Sequence, residues 1–85
     1  MRERIFEPIL STNAWESLRS LSKRRQEKLT RLIYQLANDP FRLGEYQTRD
    51  HTGRVLENLR LGDHIITYWA NDPVKELRIL DIHDL

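Results

Sequence analysis

The sequence predicts an α+β fold: a small twisted, mainly antiparallel sheet with two N-terminal helices packed on one of its faces. Three observations carry this. Helical periodicity fills much of the first half of the chain, with apolar positions three and four residues apart. Period-two alternation replaces it after Gly53. Between two alternating runs, Leu61-Gly62-Asp63-His64 fits a two-residue hairpin turn with Gly62-Asp63 at its tip.

The elements follow in order. Arg4 to Leu10 is a short mixed run interrupted by Pro8, which suits an edge strand or arm because proline cannot donate to a ladder. Asn13 to Leu21 reads as a short helix. Asn13 and Glu16 are spaced as a capping box, and Ala14, Leu18 and Leu21 share one face. Ser22 caps a longer helix running to about Asn38. Leu29, Leu32, Ile33, Leu36 and Ala37 form its buried stripe, and Arg24, Lys28 and Arg31 project from the opposite side. Asn38-Asp39-Pro40 ends it, since a residue preceding proline is pushed out of helical geometry. Phe41 to Gly53 is a polar stretch without clear period, expected as a long loop.

Three strands complete the chain. The hairpin turn sets a register in which Leu61 faces His64, Arg60 faces Ile65, Leu59 faces Ile66 and Asn58 faces Thr67. Alternation puts Val55, Leu59 and Ile66 on a core face. It puts Asn58, Arg60, Ile65, Thr67 and Trp69 on an open one. A second turn at Asn71-Asp72-Pro73 leads into a strand from Lys75 to Ile82. With Leu80 and Ile82 facing the core, Asp81 and His83 join Arg60 on the open face.

Composition narrows the function classes. A chain of 85 residues is expected to form one domain. Its 32% charged and 39% hydrophobic residues suit a folded domain rather than disorder. The absence of cysteine excludes thiolate metal sites and cysteine nucleophiles. No apolar run is long enough to span a membrane, and Glu3, Arg4, Glu7 and Pro8 interrupt any signal-peptide core, so a cytoplasmic location is expected. The net charge of +1 conceals an asymmetry. Residues 1–40 hold eight Lys/Arg and five Asp/Glu, whereas residues 41–85 hold six and eight. Attraction for a polyanion therefore comes mainly from the first half. Three histidines without an i, i+4 pair give no metal-binding pattern, and no cofactor is expected.

The order of elements, the helix ending in Asn-Asp-Pro and the segment LRLGDHIITY together resemble the RelE/ParE toxin superfamily of bacterial toxin–antitoxin systems. The decapeptide is similar to that family's Leu-Arg-x-Gly-Asp-Tyr-Arg-x-x-Tyr hairpin. The resemblance implies a toxin neutralised by a dedicated antitoxin protein. It also implies one of two activities: cleavage of messenger RNA, usually on the ribosome, or non-catalytic inhibition of DNA gyrase. Arg60 and Tyr68 match the family pattern. Asn58 and Ile65 stand where a basic residue is common, and His64 replaces a tyrosine. Asp81-Ile82-His83 resembles the Asp-Tyr-His ending of HigB-like toxins, while His83-Asp84-Leu85 and the loop residue His51 are similar to features of YafQ-like toxins.

These residues have the chemistry that metal-free RNA cleavage requires. A base must take the 2′-hydroxyl proton, an acid must protonate the leaving oxygen, and cations must stabilise the phosphorane. His83 is the candidate acid or base with Asp81 orienting it. His51 is a candidate second proton-transfer group, and Arg60 a phosphate stabiliser. Arg54, Arg78, Arg24, Lys28 and Arg31 are candidate RNA or phosphate contacts. Each also has a plainer reading: His83 as a terminal histidine, His51 as an ordinary loop residue, the helix cations as a solvated face. A binding module on the same scaffold, either a gyrase inhibitor or a catalytically degenerate toxin homologue, therefore stands beside the nuclease. No membrane partner is expected.

Overall fold

The computed structural model describes residues 5–85, so the part of the expected N-terminal strand at Arg4 lies outside it. Strand β1 (Glu7–Leu10) is followed by helices α1 (Thr12–Arg19) and α2 (Lys23–Ala37). Strands β2 (Tyr46–Arg49), β3 (Val55–Leu61), β4 (His64–Asn71) and β5 (Glu76–Asp84) follow, with a 3-10 turn at Asp72–Val74 before the last. The sheet order is β1-β5-β4-β3-β2. Strand β1 runs parallel to β5, and the other neighbours are antiparallel. The α+β architecture is as the sequence predicts.

Both helices cover one sheet face. Ala14 and Leu18 of α1 and Leu29, Ile33, Leu36 and Ala37 of α2 meet Leu59, Leu61, Ile66, Tyr68, Leu77, Ile79 and Ile82 in a continuous core. The β3–β4 register is the expected one, from Leu61 opposite His64 to Asn58 opposite Thr67. Gly62 makes this turn possible: its φ of 60° is a region where a side chain would be strained. Tyr68 is fully buried and its hydroxyl donates to the Arg42 carbonyl at 2.5 Å, pinning the stretch after α2 to the sheet.

Burial pushes the Tyr68 phenol pKa up to about 12, so folding favours the neutral form. Its stabilising effect is complete below about pH 10, the ordinary tyrosine value, and disappears as pH rises toward 12. Tyr68→Phe is expected to flatten that alkaline decline and to lower stability at neutral pH by about 1 kcal/mol through the lost hydrogen bond. Denaturant titrations across this pH range provide the check. Superimposable alkaline limbs for the two proteins would contradict it.

Several local expectations need correction. The polar stretch from Phe41 to Gly53 is not simply a loop, because Tyr46–Arg49 forms edge strand β2. Ser11, not Asn13, caps α1: its Oγ accepts from Ala14 N–H at 3.0 Å and donates to the Leu80 carbonyl at 2.8 Å. Helix α1 accordingly begins at Thr12 and ends at Arg19. Leu80 is not a core residue. The β4–β5 register shifts so that Thr67 pairs with Asp81 but Tyr68 pairs with Ile79. Leu80 is the extra residue of this bulge, which turns Ile79 and Ile82 both inward. Val55, on the core-side parity, is exposed at the sheet margin.

Ser11 thus joins the start of α1 to the bulge in β5. Ser11→Ala removes both hydrogen bonds and is expected to cost about 1–2 kcal/mol. An unchanged thermal midpoint would show that water replaces both contacts without loss.

Candidate active site on the open sheet face

Strand pairing arranges the open face in rows across the sheet. One row reads Tyr46, Asn58, Thr67, Asp81, and the next reads Arg60, Ile65, His83. Asp81 and His83 belong to β5 and share the open face because they are two residues apart beyond the bulge. His83 Nε2 lies 2.8 Å from Asp81 Oδ2. The other oxygen of Asp81 accepts from the Asn13 amide at 3.2 Å and from the Ile82 N–H at 3.0 Å. The carboxylate is therefore fixed on one side, and on the other its second oxygen lies at ion-pair distance from the imidazole without the alignment of a hydrogen bond. His83 itself is 64% exposed, which leaves its second ring nitrogen accessible to a substrate.

Arg60 stands across Ile65 from His83, two strand spacings or roughly 10 Å away between backbones. Its Nε–H donates to the Gly62 carbonyl at 3.1 Å, and it makes no ion pair among the described residues. A phosphate above Ile65 would have a guanidinium on one side and an imidazole on the other. The Asn58 amide is buried and spoken for. It donates to Thr48 Oγ1 at 3.1 Å and accepts from Thr67 Oγ1 at 2.7 Å. A cation at this position would lose its solvent without gaining a carboxylate, a physical reason for a neutral residue there.

No protein-family model and no curated protein matches the sequence. Solved structures do. The chain is similar to the RelBE2 toxin–antitoxin complex of Mycobacterium tuberculosis, with a TM-score of 0.78 at 19% identity over 96% of this chain and 100% of that one. It is similar to the archaeal RelE–RelB complex of Pyrococcus horikoshii, with a TM-score of 0.71 at 19% identity over 95% and 96% of the two chains. The YoeB/ParE toxin of Agrobacterium tumefaciens follows with a TM-score of 0.66 at 14% identity over 94% and 99%. The chain has the RelE-type toxin fold.

On this RelE-type fold the remaining candidate residues fall into separate places. His51 lies exposed in the β2–β3 turn, at the opposite end of the sheet from His83. Six residue steps along the chain through β3 take Arg54 to Arg60, roughly 20 Å, so His51 is not brought to His83. Asp50 builds that turn, accepting from Thr52 Oγ1, Thr52 N–H and Arg54 N–H. The Thr52 hydroxyl leads in holding its carboxyl below the usual range. Arg54 and Arg78 are on the open face but at the His51 end. Arg24 and Lys28 are on the helix side, where they border a pocket of about 270 Å³ with Gly62 and Asp63. Arg31 stays exposed on α2.

His64 is buried on the core side of the RelE-type sheet, as its register predicts. Its Nε2 is 2.7 Å from Asp84 Oδ1 but is not aligned for a hydrogen bond. Among the described residues, no three His, Asp or Glu side chains gather as a metal site, and no helix is long and apolar enough to cross a membrane. Asn13 is a candidate positioning residue for Asp81 that the sequence did not point to. It was visible as a helix-start residue, but its contact with Asp81 spans 68 positions of sequence and has no local signature.

Proposed function

We propose that this chain is the toxin of a type II toxin–antitoxin system and an endoribonuclease that cleaves mRNA on the ribosome, acting in the cytoplasm. The observation that carries the nuclease reading is the Asn13–Asp81–His83 arrangement on the open face. His83, with Asp81 beside it, takes the proton of a 2′-hydroxyl. The resulting oxygen attacks the adjacent phosphorus and the 5′-oxygen leaves, giving a cyclic phosphate and a new hydroxyl end. With His51 remote, water supplies the proton to the leaving oxygen. Arg60 stabilises the phosphorane across Ile65. Arg24, Lys28 and Arg31 supply long-range attraction for the RNA from the helix side. The partner is a cognate antitoxin, consistent with the RelBE2 and RelE–RelB neighbours being complexes.

The experiment is expression without the antitoxin, with mRNA ends mapped against an uninduced culture. New internal ends at translated codons support the proposal. Arrested growth with unaltered mRNA removes it. A second reading, a non-catalytic binding module such as a gyrase inhibitor, draws on Ile65 and on the neutral, internally bonded Asn58, which leave the central rows poor in cations. A DNA supercoiling assay separates it from the nuclease.

A further inference from the structure

The open face carries a second constellation, away from His83. The Arg54 guanidinium lies over the Trp69 indole, with its central carbon 3.8 Å from the ring centroid. Trp69 pairs across the strands with Arg78, whose Nη1 reaches Glu76 Oε1 at 2.8 Å. The Arg54 side chain remains 46% exposed although it touches both the indole and, at 3.5 Å, Asp50. Its position is built rather than accidental. Asp50 holds the Arg54 N–H at 3.0 Å, and the Asp50 N–H donates to the Arg54 carbonyl, also at 3.0 Å. The tight turn thus fixes where the guanidinium starts, and the indole fixes where it lies.

We propose that Arg54, supported by Trp69, is a base-stacking subsite for single-stranded nucleic acid. This deepens the RNA reading above and takes its ligand class from it. A guanidinium lying over an indole is a planar surface whose outer side is open to water. Planar guanidinium and aromatic surfaces are what unpaired bases stack on. Four residue steps of β4 take Ile65 to Trp69, roughly 13 Å along the strand. A strand with its scissile phosphate between His83 and Arg60 therefore places a flanking nucleotide near Arg54. Arg78, paired with Glu76, borders the same track. A purely structural pair would only shield Leu56, which is buried on the same face and adjacent to Trp69 by the strand register. That role makes no demand on the nucleic acid.

The test uses Arg54→Lys, which keeps the charge but removes the plane. The probe is an oligouridylate of about eight nucleotides, 2′-O-methylated so that it cannot be cleaved, alongside an abasic chain of the same length and charge. Wild-type protein is expected to prefer the base-bearing strand by roughly tenfold. Arg54→Lys is expected to lose that preference while keeping its salt dependence, because the phosphate contacts persist. Trp69→Leu, checked for folding, should behave like Arg54→Lys. Equal wild-type binding of the two strands, a preference retained in Arg54→Lys, or no binding of either strand overturns the subsite. Mapped mRNA ends judge the nuclease separately. Cleavage without base preference sinks only the subsite, whereas base preference without cleavage sinks only the nuclease.

Discussion

His83→Ala is expected to reduce RNA cleavage by a factor of roughly 10² to 10⁴, the usual contribution of one positioned acid–base group. The fold should be unaffected. His83 is mostly exposed on the last strand, and its side chain lies against Asp81. Asp81→Asn should have a smaller effect, since the amide can still occupy the space but no longer offers the imidazole a negative charge. Asn13→Ala should be smaller again, because the Ile82 N–H continues to hold the same oxygen. The graded order is the informative part. It is read from single-turnover cleavage of an RNA substrate, with thermal unfolding as a control. Full activity in His83→Ala would remove the proposed mechanism altogether. Equal losses in all three variants would point to a disturbed strand instead of a proton-transfer group.

Gly44→Ala is expected to destabilise the protein by about 1–3 kcal/mol, a large effect for a methyl group added outside the main core. A Cβ on Gly44 would overlap the backbone of Asn58, which cannot step aside without moving β3. The segment around it is tied down closely. Gly44 N–H donates to Glu57 Oε1 at 2.8 Å, and Glu45 N–H donates to the Asn58 carbonyl at 2.8 Å. The Glu45 carboxylate then accepts the Arg60 N–H at 2.6 Å. The strain therefore falls on the backbone that carries Arg60. Chemical denaturation should show the loss of stability. Cleavage measured well below the unfolding midpoint should fall as well, because Arg60 is displaced from the row it shares with His83. Wild-type stability in Gly44→Ala would mean that β2 shifts freely and does not position Arg60.

The hairpin was the most legible part of the chain, because Gly62-Asp63 admits one short turn and alternation then propagates the register. The exposure of Asp81 and His83 on the open face was legible by the same logic. The route to it was not. Counting from Leu80 gives the correct face for Asp81 only because the bulge falls at Leu80 itself, where the count and the register shift agree. Strand β2 left no pattern to read: Tyr46, Gln47, Thr48 and Arg49 are all exposed, so polarity does not alternate. The capping of α1 by Ser11 was hidden by a competing signal, since Asn13 and Glu16 have equally good spacing. The separation of His51 from His83 depends on the direction in which β3 runs after β2, a fact of pairing and not of local composition.

The parallel pairing of β1 with β5 has a consequence for how the protein is made. Glu7–Leu10 finds its partner in Glu76–Ile79, which leaves the ribosome after every other element described here. Strand β5 lies between β1 and β4 and contributes Leu77, Ile79 and Ile82 to the core. A nascent chain lacking β5 has α1 and β1 without their sheet, and neither half of the Asp81–His83 pair. Contacts between positions so far apart also close slowly, because the chain must be looped before they form. Completion of the sheet and assembly of the proposed active site therefore both wait for β5.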